Sequence, residues 1–223
     1  MILYIIRHGN PDYENDTLTE FGWKEAEILG ERMAKENPDL IFMSPRGRAI
    51  ATAQPTLRRL GKEGVVEPWM TERNEYMFPI KEELHDTAGF TYTLKDGVTA
   101  LNDYNDDEER RICLEELVKS SDAFLEKLGY RREGALYRVI NGNDLKVACY
   151  CHGGFGTAWI SHLLGMLPSS GAMRFGMDTV SITKFEFKQE RVPGCVFPVM
   201  TAFNDVYHLR EVGLDRVSIA YGN

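Results

Sequence analysis

Three short apolar runs, each ending on a cationic or nucleophilic residue, narrow what this chain can fold into more than any other feature. Ile2–Ile6 stops at Arg7-His8-Gly9, Leu40–Met43 stops at Ser44-Pro45, and Val147–Cys151 stops at His152-Gly153-Gly154. Such runs read as strands buried on both faces of a parallel sheet. Helical patterns lie between them. Phe21, Ala26, Leu29 and Met33 recur at helical spacing behind a capping Thr19, which predicts a helix to about Lys35. Arg46–Leu60 predicts a second helix, kinked at Pro55. Ile112, Leu117, Phe124 and Leu128 mark a third, and Phe155–Leu164 a fourth, opened by two glycines. Val65–Met70 reads as a weaker strand, and Val180–Phe187 and Val196–Phe203 as strands near the C-terminus. The alternation predicts an α/β fold: a three-layer α/β/α sandwich with a mostly parallel central sheet.

In an open parallel sheet the carboxyl ends of the strands lie along one rim, where ligands bind. Arg7, His8, Arg48 and His152 can therefore meet there although they are far apart in sequence. Two guanidiniums and two imidazoles in one crevice suit a dianion, and phosphoryl oxygens match the planar donor fork of arginine. Donors aimed in advance at the equatorial oxygens also stabilise phosphoryl transfer. Gly153 and Gly154 would let backbone approach the anion at a helix N-terminus.

The remaining candidates have plainer readings. His162 shares a helical stripe with Phe155, Trp159 and Met166, so core packing is its expected role. His208 is expected to be structural, and nothing distinguishes His85. Cys149-Tyr150-Cys151-His152 lacks zinc-site spacing, so neither a metal nor a cofactor is expected. Arg58-Arg59 and Arg131-Arg132 read as solvated charges.

The 223 residues suit one domain spanning 1–223. Residues 79–109 break the rhythm, with nine acidic residues against two lysines, and carry nearly all of the net charge of −8. This acidic insertion reads either as a solvated surface loop or as a lid, with Phe90, Tyr92 and Tyr104 as candidate substrate contacts. An acidic chain is a poor general nucleic-acid binder. No apolar run reaches the length of about 18 residues needed to span a bilayer. The first residues do not read as a signal peptide. The spacing of the four cysteines fits no disulfide framework, so reduced thiols in a cytoplasm are expected.

Taken together, the motifs resemble the histidine phosphatase superfamily, also called phosphoglycerate mutase-like. Arg7-His8-Gly9 matches its Arg-His-Gly signature, and Leu18-Thr19-Glu20-Phe21-Gly22 its Leu-Thr-x-x-Gly segment. Ser44-Pro45-Arg46-Gly47-Arg48-Ala49-Ile50-Ala51-Thr52-Ala53, His152-Gly153-Gly154 and Asn204-Asp205-Val206-Tyr207-His208-Leu209 match three further elements in the family's order. The resemblance implies that His8 takes the phosphoryl group, with the Gly9 carbonyl holding its other nitrogen. It implies that Arg7, Arg48 and His152 clamp the phosphate. It also implies a carboxyl proton donor, which spacing puts at Glu72, with Glu75 as the rival. Asn10 stands where many relatives carry Glu or Gln and could still bond a phosphoryl oxygen. Glu25 replaces a frequent Gln, with no catalytic effect expected. The Trp-Asn pair of cofactor-dependent mutases is missing, and the insertion is acidic where those enzymes need a basic lid. The implied function is a metal-independent phosphomonoesterase that uses a phosphohistidine on a small phosphorylated metabolite. The alternatives are a phosphoglycerate mutase or bisphosphatase, and a non-catalytic module binding a phospho-ligand. Many relatives are dimers, so a homodimer is the assembly to consider; no nucleic-acid or membrane partner is expected.

Overall fold

The computed structural model describes residues 1–76, 92–95, 98–101, 108–166, 168, 171–188 and 190–214. In chain order the elements are β1 (Ile2–Arg7), β2 (Pro11–Asp12), β3 (Thr17–Leu18), α1 (Glu20–Glu36), β4 (Leu40–Met43), α2 (Gly47–Leu60) and β5 (Val65–Val66). Then come β6 (Tyr92–Lys95), β7 (Val98–Leu101), α3 (Glu108–Lys127), β8 (Tyr130–Glu133), β9 (Leu136–Val139), β10 (Lys146–Cys151) and α4 (Gly153–Leu163). The last are α5 (Gly171–Arg174), β11 (Ile182–Glu186), β12 (Glu190–Val192), β13 (Cys195–Val196), β14 (Val199–Asp205) and α6 (Tyr207–Arg210).

The main sheet has the order β14-β11-β1-β10-β4-β5. The pairs β1/β10, β10/β4 and β4/β5 are parallel, and β1/β11 and β11/β14 antiparallel. Side chains alternate between two cores, one on each face. Leu3, Ile5, Val147 and Cys149 pack with Leu117 and Phe124 of α3 and Phe155 and Trp159 of α4. Tyr4, Ile6, Ala148 and Tyr150 pack with Leu29 and Met33 of α1 and Ala53 of α2. This double burial is why the strands read as continuous apolar runs rather than alternating ones. Each fully buried aliphatic side chain contributes about 1.5–3 kcal/mol. The three-layer sandwich expected from the alternation is therefore what the chain forms.

Several boundaries differ from the sequence reading. The strand expected over Val65–Met70 holds only Val65 and Val66. Pro68, which lacks an N–H, turns the chain into a 3-10 helix ending at Met70. α3 buries Cys113, Leu117, Ser121, Phe124 and Leu125 and leaves Ile112 exposed. Its inward face includes Ser121, whose Oγ accepts from Trp159 Nε1 at 2.7 Å, so polarity hid the true stripe. The strand expected from Val180 begins at Ile182, because Val180 itself is left-handed with φ 52°. The Val196–Phe203 run divides at Pro198: Cys195–Val196 pairs with β9, and Val199–Asp205 closes the main sheet. The second sheet, β12-β13-β9-β8, has no counterpart in the sequence reading over 130–139. Glu108 and Glu109, counted with the acidic insertion, open α3. Otherwise the insertion falls largely outside the described residues, as do the side chains of Phe90, Tyr92 and Tyr104, and His85. The helix α2 runs unbroken through Pro55.

Candidate active site

β4, β10 and β1 are adjacent and parallel, so their carboxyl ends share one rim. The ladder continues into the loops: His8 N–H donates to Cys151 O at 3.0 Å, and Ser44 N–H to Tyr150 O at 2.9 Å. His8, His152 and Ser44 therefore leave neighbouring strands side by side. The two imidazole centroids lie 5.1 Å apart, edge to face. Arg48, in the first turn of α2, places Nε 3.4 Å from His8 Nε2. Arg7 ends β1, and a Cβ on Gly153 would lie 3.4 Å from Arg7 Nε. The four residues singled out from separate motifs thus meet in one place.

The hydrogen bonds fix the tautomer of His8. Nδ1 lies 2.8 Å from Gly9 O, which can only accept, so Nδ1 carries the proton. Nε2 faces the Arg48 donor and keeps its lone pair. Burial, with Arg7 and Arg48 adding repulsion, pulls the His8 pKa down to about 3. His152 is fully buried and is pulled down to about 2, by burial first and then by His8 and the surrounding arginines. Both rings are neutral near pH 7. His152 Nε2 lies 2.7 Å from Ser44 Oγ, while its Nδ1 is buried without a partner.

The two arginines are held differently. Arg7 Nη1 donates to Met177 O, and its Nε is buried with no hydrogen-bond partner. Arg48 pairs with Asp16 through Nη1 and Oδ1 at 2.6 Å, and Asp16 Oδ2 accepts Gly47 N–H at 2.8 Å. The Arg48 guanidinium also lies over the Tyr13 ring, 5.4 Å from its centroid.

Glu72 follows the 3-10 turn anchored by buried Met70. Its Oε1 accepts Phe155 N–H at 2.7 Å and its Oε2 accepts Gly154 N–H at 3.0 Å. Glu72 therefore caps α4. This corrects the expectation that both glycines cradle the anion, since Glu72 takes the Gly154 amide and leaves only that of Gly153. Burial raises the Glu72 pKa against the pull of those two amides and of Arg48 and Arg7. Glu75, the rival, lies in the next turn, where its charge acts on Cys113 of α3.

A sequence profile for the histidine phosphatase superfamily, branch 1, matches residues 3–195. The chain belongs to that superfamily. One curated relative, "Putative phosphoserine phosphatase 2" of Hydrogenobacter thermophilus, is 30% identical over 31% of this chain and 39% of its own length. The chain thus matches about two-fifths of that protein. Among solved structures, the Entamoeba histolytica phosphoserine phosphatase bound to 3-phosphoglyceric acid aligns over 93% of this chain and 98% of its own. Its TM-score is 0.59, at 24% identity. A mycobacterial glucosyl-3-phosphoglycerate phosphatase aligns over 91% and 98%, with TM-score 0.58 and 20% identity. At these identities the likeness is one of fold.

The geometry explains the superfamily's second motif. Thr19 caps α1 through Gly22 N–H, and its hydroxyl donates to Asn10 Oδ1 at 2.8 Å. Gly22 rests on the Asn10 backbone so closely that a Cβ would lie 2.2 Å from Asn10 O. One turn on, buried Glu25 accepts Asn10 N–H through Oε2 at 2.7 Å and the Thr179 hydroxyl through Oε1 at 2.6 Å. Thr52 of α2 accepts Gly9 N–H at 2.9 Å. Half-buried Asn10 has committed its Oδ1 to Thr19, which leaves its amide nitrogen as the end that could reach a ligand.

The histidine phosphatase motif at Asn204 supports the loop behind Arg7 and His8. Asn204 brackets Asp178, accepting its N–H at 2.6 Å and donating to its Oδ2 at 2.8 Å. The loop then returns past left-handed Val180, whose N–H donates to His8 O, and Ser181, whose carbonyl accepts Arg7 N–H. His208 is buried and hydrogen-bonds the Val180 backbone, in keeping with a structural role.

His162 is buried, as expected, but polar in its contacts: Nε2 lies 2.8 Å from Asp122 Oδ1 and 3.2 Å from Arg132 Nη1. Arg132 also donates to the Tyr137 hydroxyl, so it ties the second sheet to α4 and is not a solvated charge. Arg58 and Arg59 clamp α2 to Glu27 of α1. Burial pushes the Cys149 and Cys151 thiols up, and both are free, buried side chains of β10. Ser44, Asp16, Thr52 and Glu25 hold His152, Arg48, Gly9 and Asn10 in place through contacts that no expectation from the sequence covers. Ser44 and Thr52 lay inside quoted motifs, which was the available signal.

Proposed function

We propose that the chain is a metal-independent phosphomonoesterase that forms a phosphohistidine on His8 and acts on a small phosphorylated metabolite. One observation carries this reading. His8 is a neutral imidazole whose protonated Nδ1 is held by a carbonyl, and its bare Nε2 sits among Arg7, Arg48 and His152. That is the state a nitrogen nucleophile needs.

In the first step the Nε2 lone pair forms the N–P bond as the ester P–O bond breaks in line. Glu72, whose neutral form burial favours, gives a proton to the leaving oxygen. Arg7 Nε, Arg48 and the Gly153 amide donate to the phosphoryl oxygens. If the Ser44 hydroxyl donates to His152 Nε2, the unpartnered Nδ1 carries a proton and becomes a fourth donor. In the second step Glu72 takes a proton from water as the water oxygen attacks phosphorus. The P–N bond breaks, its electron pair returns to Nε2, and inorganic phosphate leaves. The positive charge usually supplied by a metal ion comes here from two guanidiniums. Relatives named for phosphoserine and glucosyl-3-phosphoglycerate put small phosphomonoesters of that size first in a substrate panel.

The test is turnover of p-nitrophenyl phosphate in the presence of EDTA, with acid-labile, base-stable protein phosphorylation followed by rapid quench. The wild-type chain should turn over and label. His8→Ala should lose both, with kcat falling at least about a thousandfold. Undiminished turnover by His8→Ala would refute the nucleophile.

A further inference from the structure

We infer that Glu25 is a positioning residue for the nucleophile, acting on His8 through the Gly9–Asn10 peptide bond. The inference rests on the reading of His8 as the group that attacks phosphorus.

The carbonyl and N–H of one peptide unit are shared between two partners. Gly9 O accepts the His8 Nδ1 proton at 2.8 Å, and Asn10 N–H of the same unit donates to Glu25 Oε2 at 2.7 Å. An amide polarises as a whole. A negative acceptor on its N–H pushes electron density onto its oxygen, and hydrogen bonds in series strengthen one another. The order is imidazole, peptide, carboxylate. This is a histidine oriented by a carboxylate with one amide inserted between them.

Glu25 is built for the task. It is fully buried, and both of its oxygens accept short bonds, from Asn10 N–H and the Thr179 hydroxyl, at lengths typical of charge-assisted pairs. Burial raises its pKa, and the Thr179 hydroxyl, the Asn10 N–H and the Arg7 charge each pull it back toward the carboxylate. Its place is fixed by α1, whose Gly22 lies against the Asn10 backbone. As Nε2 bonds to phosphorus the ring becomes cationic, and the Nδ1 proton grows more acidic. A carbonyl polarised by a carboxylate stabilises that ring more than a neutral one does, so the effect falls on the chemical step and not on phosphate binding.

The test uses the full chain with Glu25→Leu, Glu25→Gln and, as a control, His8→Ala. Glu25→Leu should lower kcat for p-nitrophenyl phosphate by about 10- to 100-fold, while KM and inhibition by inorganic phosphate stay within about twofold. Glu25→Gln restores a neutral acceptor. It should recover most of that loss, stay about threefold or more below wild type, and move the His8 Nδ1 proton resonance upfield. If Glu25→Leu does not fold, Glu25→Gln decides alone: wild-type kcat with an unmoved resonance overturns the relay. A rise in KM at unchanged kcat also overturns it, since that would place Glu25 in binding. The resonance does not depend on turnover. Should His8→Ala keep its activity, the nucleophile reading fails while the spectrum still reports on the relay.

Discussion

Glu72 holds two backbone amides of α4 with the same carboxyl group that lies within electrostatic reach of Arg7 and Arg48. Its proposed work as an acid matters most when the leaving oxygen is basic. Glu72→Gln should therefore cut kcat/KM, which reports only the step in which the leaving oxygen departs, on an alkyl phosphate such as phosphoserine by about 10²–10⁴-fold. The loss on p-nitrophenyl phosphate, whose leaving group needs no proton, should be much smaller. Equal losses on the two substrates would remove Glu72 from that role. At this scale the sequence revealed residues that end strands. Arg7, His8 and His152 follow apolar runs directly, and Arg48 follows within one turn. Asp16, Glu25 and Ser44 act through contacts to chain far away, as in the 2.6 Å pair between Asp16 and Arg48, and no local period announces such a partner.

α1 owes its place to a glycine rather than to its apolar stripe alone. Gly22→Ala would drive a methyl group into Asn10 O, where only 2.2 Å is available, so the helix must back away from the loop that carries His8. The expected cost is about 2 kcal/mol or more in denaturant unfolding, with a loss of kcat beyond what unfolding explains. An Ala variant of wild-type stability and rate would count against this packing. Helix starts and buried strands were legible because capping and continuous apolarity are local signals. Thr19 caps α1 as its pattern indicates. The Val65–Met70 and Val180–Phe187 boundaries were not legible. A proline and a left-handed valine ended the strands inside apolar runs that otherwise read as continuous.

Across the whole molecule, three buried imidazoles make folding sensitive to acid. His8, His152 and His208 are pulled to about 3, 2 and 4, below the value of about 6.5 that they regain on unfolding. Between those limits the unfolded chain binds the extra protons, so stability is full above about pH 6.5 and falls as pH drops. Each histidine costs about 2 kcal/mol by pH 5. Glu25 and Glu72, whose pKa values are raised, oppose this trend because the folded chain takes up their protons more readily. Urea unfolding at pH 7, 6 and 5 should show a falling midpoint, and a flat series would contradict it. The tertiary fold followed from strand and helix alternation. The second sheet did not, since its strands are only two to four residues long and offer little apolar length. One local conformation bears on the whole: Val180, whose branched side chain disfavours the backbone twist it adopts beside His8. That twist is a wound spring, with the Asp178–Asn204 clasp as its catch. Releasing the catch would slacken the seat of His8 while leaving the hydrophobic layers intact, so the chain's last long strand has a say in where its first one delivers an imidazole.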